Sequence, residues 1–141
     1  MFTKQNLLAT LAGFAVMFVL GYVIWGLATV DFFEAHTVND VMKEMPDMVI
    51  LALSNLIAVF ALSSIYGKWA RGHHSAKDGF QFGAWVGLFA GIGLGLLWYS
   101  TSEIFDLTGQ LVNGVIQIIF YGLIGMTIAV VYKKTAGKEA S

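Results

Sequence analysis

Four uninterrupted apolar runs divide the chain: Leu7–Val30, Met48–Tyr66, Gln81–Ser100 and Leu111–Tyr132. At 1.5 Å per residue each can cross roughly 30 Å of hydrocarbon as a helix. None contains Asp, Glu, Lys, Arg or His. The pattern predicts an all-α, integral membrane four-helix bundle, with residues 1–141 as one membrane domain. The first run is too long for the apolar core of a signal peptide and no small-x-small site follows it, so it is expected to be a retained helix.

The third run has an unusual composition. "GAWVGLFAGIGLG", residues 83–95, carries five glycines, although glycine is a poor helix former in water. Gly83, Gly87, Gly91 and Gly95 advance by about 40° each on a helix and form one slanting ridge, with Trp85, Phe89, Ile92 and Leu96 opposite. In lipid, small residues let helix backbones approach closely where no hydrophobic drive exists between helices. The ridge is therefore expected to pack on another helix, and the third and fourth spans to form the tightest pair. Gly93 lies off the ridge. A nucleotide-loop reading of Gly91, Gly93 and Gly95 fails, because that fingerprint needs a preceding strand.

In the fourth run Asn113, Gln117, Tyr121 and Gly125 recur on one face, with Val115, Ile119, Leu123 and Met126 on the other. Polar side chains within a span face the bundle interior. Counting 1.5 Å per residue puts Ser54 and Asn55 about 10 Å below the outer edge and Gln117 at about 9 Å. A polar cluster of Ser54, Asn55, Gln117, Asn113 and Tyr121 is expected beside the ridge. It is either glue between helices or a site for a neutral ligand. Uncharged amides supply no general base, nucleophile or metal cage, so no catalytic residue and no enzyme activity are expected.

Charge sets the direction. Lys4, Lys68, Arg71, Lys77, Lys133, Lys134 and Lys138, seven of the eight basic residues, lie in the N-terminus, second connection and C-terminus. Asp31, Glu34, Asp40, Glu44, Asp47, Glu103 and Asp106 lie in the first and third connections, with Lys43. The positive-inside rule then places both termini in the cytoplasm. Within the first connection, Thr37 and Asp40 form an approximate capping box. Val38, Val41, Met42 and Met45 have helical spacing and Pro46 ends the run, predicting a short interfacial helix near 38–45.

Composition agrees with a bilayer protein. Of 141 residues, 57% are hydrophobic and 12% charged, against about 25% charged in ordinary soluble domains; mean hydropathy is +0.74. A net charge of −1 is not that of a nucleic-acid binder. Without cysteine there is no disulfide, thiolate metal site or cysteine nucleophile. His73 and His74 read as a solvated loop, and His36 with Asp31, Glu34 and Asp40 as loop solvation rather than a divalent-ion site; no metal and no cofactor are expected. Trp25, Trp98, Tyr99, Trp69 and Tyr132 read as an aromatic belt.

Through "FVLGYVIWGL", "GFQFGAWVGL" and "LVNGVIQIIFYGLIG" the plan resembles small four-helix bacterial inner-membrane proteins to which no activity is assigned. The resemblance implies a multi-pass protein of the bacterial inner membrane and carries over no catalytic residue. Small multidrug exporters need an embedded glutamate, four-helix cytochromes paired histidines within the spans, and mercury or thiol-redox proteins cysteines. Dual-topology fluoride channels conflict with the charge bias. Two functions remain. One is a non-catalytic accessory, assembly or self-associating subunit acting through small-residue faces, with a homo-oligomer or membrane-protein partner. The other is a binding protein or facilitator for a neutral solute or lipid.

Overall fold

The computed structural model describes residues 2–139, with side chains for 2–136; the side chain of Lys138, counted above, lies outside these. Helix α1 (Lys4–Val23) starts at Thr3, whose hydroxyl accepts the Asn6 N–H, and continues as a π-helical turn, Ile24–Ala28. A short helix α2 (Val30–His36) follows. Helix α3 (Met48–Trp69) starts at Asp47, whose carboxylate accepts the N–H groups of Val49 and Ile50. It ends at a turn in which Arg71 and Gly72 have φ of 48° and 85°, a conformation that suits Gly72 because it lacks Cβ. Helix α4 (Ala76–Gly87) is capped by Ser75, runs into a π-helical stretch, Leu88–Leu94, and resumes as α5 (Gly95–Thr101). The last helix is α6 (Leu107–Glu139).

Among the described residues, four helical segments are long and apolar enough to cross a membrane: Lys4–Ala28, Met48–Trp69, Ala76–Thr101 and Leu107–Ala136. The chain is thus an all-helical multi-pass membrane protein. The helices extend beyond the apolar runs because the capping residues sit in the polar flanks, Thr3 and Ser75 among them. The last span is the hub. It packs along the third, lies against the first, and touches the second, which is held mainly by the first. Ala9, Met17, Val59, Phe120, Ile124 and Ile128 form much of the buried centre. Gly13 brings the first span close to the others: a Cβ there would lie 2.7 Å from Val59 Cγ1.

The glycine ridge lies on the last span. A Cβ at Gly87 would come within 2.5 Å of the Gln117 carbonyl oxygen, and one at Gly91 within 2.7 Å of the Gly114 oxygen. One at Gly83 would overlap the Tyr121 carbonyl, and Gly79 meets Gly125 and Ala129 in the same way. Gly95 differs, since its obstacle is the Gln110 side chain. The π-helical stretch explains why the ridge stays on one face. Its i→i+5 bonding widens the turn, so a four-residue spacing comes closer to a full turn and drifts less than on an α-helix. The same change of register turns Ile92 inward, where it reaches Gly114, while Trp85 and Phe89 remain exposed. Nothing in the structure requires glycine at Gly93.

At the end of the bundle that carries the N-terminus, Asn6 is buried. Its Nδ2 donates to Ser64 Oγ at 2.9 Å, and its Oδ1 accepts the Tyr132 hydroxyl, which also donates to the Ser63 carbonyl at 3.1 Å. Tyr132 is 6% exposed and packs edge-on against Tyr66 and at a tilt against His74, so it belongs to the core and not to an aromatic belt. His74 is likewise packed, not solvated: Nδ1 lies 3.3 Å from the Tyr66 hydroxyl. Burial and then the neighbouring His73 lower its affinity for a proton.

The interfacial helix expected near 38–45 does not form; residues 38–47 are irregular and exposed. Thr37 does not cap a new helix, because its hydroxyl donates back to the Phe33 carbonyl at 2.6 Å. Its backbone is bridged to Phe105, and the Val38 N–H donates to Ile104 at 2.8 Å. Asn39 reaches the Glu103 carbonyl, and Asp40 closes a local turn onto the Met42 N–H. The capping groups of a helix start are thus used locally, by Phe33 and Met42, while Val38 and Asn39 are tied to the third connection.

Candidate functional site

At the opposite end from Asn6, the third span and α6 diverge and leave a cleft of about 390 Å³. One wall is α6, presenting Gln110, Asn113 and Gln117; the other is the third span, presenting Ala90, Leu94 and Trp98. Tyr99, Ser102 and Phe105 border it at the connection. The volume falls in the range of small-molecule pockets. Two structural devices make the opening. The π-helical stretch carries Ala90 and Leu94, and such segments are frequent at functional sites. Gly95 leaves the space that the Gln110 amide occupies.

Gln110 is 8% exposed, yet its amide makes no hydrogen bond to another described residue. No fully enclosed side-chain nitrogen or oxygen among the described residues lacks a partner, so the Gln110 amide opens onto the cleft it lines. Gln117 also makes no side-chain hydrogen bond among the described residues. Asn113 is held in place: its Oδ1 accepts the Trp25 Nε1 proton at 3.0 Å, leaving its NH₂ group available. Trp25 in turn packs edge-on against Phe120 with centroids 4.9 Å apart, a packed position and not a surface anchor. Among the described residues, no carboxylate, ammonium or imidazole lines the cleft.

The expected polar cluster is only partly assembled. Asn113 and Gln117 share the cleft. Tyr121 sits one turn deeper on α6, against Phe120, and does not line it. Ser54 and Asn55 are elsewhere, because the first half of α3 stands apart from the rest of the bundle. Ser54 is exposed and bonds its own helix at Leu51, and Asn55 is half-buried without a side-chain hydrogen bond among the described residues. Matching depth was a poor guide, since it says nothing of which helices are neighbours. Gln110 was missed because the fourth run was started at Leu111. The spacing of Gln110, Asn113 and Gln117, at i, i+3 and i+7, marks one helix face and was the signal available.

The third connection, which borders the cleft through Ser102, Ile104 and Phe105, is stitched to the first. His36 Nδ1 lies 2.7 Å from Asp106 Oδ2, and the Asp106 N–H donates to the His36 carbonyl. Thus His36 pairs with the third connection and not with Asp31, Glu34 and Asp40, and no group of three or more metal-ligating side chains occurs among the described residues. Asp106 also accepts the Gly109 N–H at 2.7 Å, fixing the start of α6 one turn before the cleft. That N–H first, and His36 second, hold the Asp106 carboxyl below the ordinary carboxylate range. Asp106 therefore stays ionised and caps α6 throughout the neutral and mildly acidic range, and that cap weakens only as pH falls through the lowered value. Comparison with protein-family profiles, curated proteins and solved structures finds no match to this chain.

Proposed function

We propose that this is a non-catalytic protein of the bacterial inner membrane that binds an uncharged small solute or lipid in the cleft between its third and fourth spans. The observation that carries this reading is Gln110, a residue 8% exposed whose amide lines the cleft and has no side-chain hydrogen bond among the described residues. Open to the cleft, that amide can donate to a ligand carbonyl and accept from a ligand hydroxyl. A driven pump would need an ionisable group within the spans, so the reading is binding or facilitated passage.

The glycine ridge supports this choice over the accessory-subunit reading. It faces α6 along its length and leaves no adhesive small-residue face on the third span. Self-association keeps one favouring observation, in the second span: the first half of α3 is exposed on most sides and carries Asn55 without a hydrogen-bond partner among the described residues. In lipid, an asparagine on one helix can pair with its equivalent on a second copy.

Native mass spectrometry from mild detergent tests both readings. The expected spectrum shows an uncharged small molecule retained by the wild-type protein and lost from the Gln110→Leu/Gln117→Leu variant, with Asn55→Leu unchanged in ligand content. Identical ligand content in wild type and double variant would remove the binding reading. A dimer dispersed by Asn55→Leu would instead support self-association.

The charge distribution supports a cytoplasmic location for both termini. Cysteine substitutions at Ser102 and Ala136 are expected to label from opposite sides of sealed vesicles, Ser102 from the periplasmic side. Periplasmic labelling of Ala136→Cys would reverse the orientation.

A further inference from the structure

The cleft is polar along one wall and apolar along the other, and this asymmetry carries information about what fits it. On α6 the amides of Gln110, Asn113 and Gln117 succeed one another over about 10 Å of helix axis. The facing wall offers Ala90, Leu94 and Trp98, with its hydrogen-bonding groups confined to the Trp98 ring N–H and, at the end next to the connection, the Tyr99 and Ser102 hydroxyls. A simple head-and-tail amphiphile would leave part of the amide row unpaired. A molecule with its polar groups along one edge would meet the row, with its apolar face on the third span. Gln110 and Gln117 can each donate and accept, and Asn113 retains its NH₂ group. A complementary edge therefore carries both carbonyl and N–H or O–H groups.

Charge narrows the class further. An ionised group in the cleft would meet no counter-ion among the lining residues, and desolvating a charge without a partner is costly. The mouth adds to this for anions. Glu103 and Asp106 flank the groove that runs from Tyr99 past Phe105 to the surface, and no Lys or Arg among the described residues lines it.

We infer that the cleft takes an uncharged ring compound with a hydrogen-bonding edge, stacked on the third-span wall and read by the Gln110, Asn113 and Gln117 amides. This rests on the cleft being a binding site, and adds the shape and charge of what it binds. The volume of about 390 Å³ suits a bicyclic molecule better than a diacyl lipid.

The test uses three fluorinated naphthalenes of equal ring size with the full chain in nanodiscs, read by ¹⁹F NMR against empty nanodiscs. The probes are 6-fluoro-2-naphthamide, 6-fluoro-2-naphthoate and 2-fluoronaphthalene. The amide is expected to bind at least tenfold more tightly than the other two, and Gln110→Met to lower that affinity about tenfold. Gln117→Met provides a second probe of the same wall. Equal affinity for amide and hydrocarbon, or no loss in either variant, overturns the inference. Preference for the naphthoate overturns it while sparing the binding function. If no probe binds but a co-purified molecule still depends on Gln110 and Gln117, the ring-compound class is wrong and the binding function stands. If that dependence is absent too, both fall.

Discussion

Gly87→Leu is expected to separate the third and fourth spans, whereas Phe89→Leu, two residues away, is expected to change little. Even a methyl at Gly87 would lie 2.5 Å from the Gln117 oxygen and 2.5 Å from the Ile118 Cα. Both are backbone atoms of a helix and cannot swing aside, so the helices must move apart. Overpacking that side chains can absorb costs about 1–3 kcal/mol; an obstacle made of backbone should exceed that. Separation would also forfeit the neighbouring contacts at Gly83 and Gly91. Phe89 is 67% exposed, and exchanging it for another apolar residue keeps its surroundings. Unfolding in mixed micelles, followed by circular dichroism, measures the difference. Equal midpoints for the two variants would mean that the ridge does not hold the pair together.

The second large effect is expected at Asn6→Ala, at the other end of the molecule. Asn6 is 2% exposed and links three helices: α1 through its own backbone, α3 through Ser64, and α6 through Tyr132. Truncation removes the acceptor for one Tyr132 contact and the donor to Ser64, and leaves a small void among buried groups. A loss of about 1–3 kcal/mol follows from the deleted hydrogen bonds. Tyr132→Phe should cost less, about 1 kcal/mol, because Ser63 can lose its 3.1 Å donor and still keep its helical bond. Leu7→Ala, at a position 45% exposed, is the control. The same unfolding assay applies, and an Asn6→Ala midpoint no lower than that of Leu7→Ala would show that the network adds nothing.

The four spans and the pairing of third with fourth could be read from the sequence because each follows from a local property. Apolar length determines a span, and glycine spacing determines a flat helix face. The π-helical stretches could not be read in this way. Residues 88–94 look like ordinary helix by composition, yet the altered turn moves Ile92 inward and opens the cleft at Leu94. Neighbour relations were equally hidden. Ser54 and Asn55 share a depth with Gln117 but not a face of the bundle, because the first half of α3 is not packed beside α6. The 38–45 segment carries a helical pattern, but its polar groups are claimed by Ile104 and Glu103, far along the chain. Asn6 lies just outside the first apolar run, where nothing local in the sequence marks it as buried. Of the site itself, Asn113 and Gln117 were visible as a stripe, and the residue that gives the cleft its character, Gln110, was one position beyond the boundary.

The glycines of the third span also differ in how their loss could be repaired by a second change in the gene. At Gly83 and Gly87 the obstacle is main chain, which every residue shares. No substitution on α6 can remove it, so these positions should yield no side-chain suppressors. At Gly95 the obstacle is the Gln110 side chain, and opposite Gly122 it is the Phe80 ring. Shortening Gln110 or Phe80 would make room there. The ridge is therefore genetically rigid at its centre and correctable where a side chain, not a backbone, closes the gap, and one of those correctable places is the cleft.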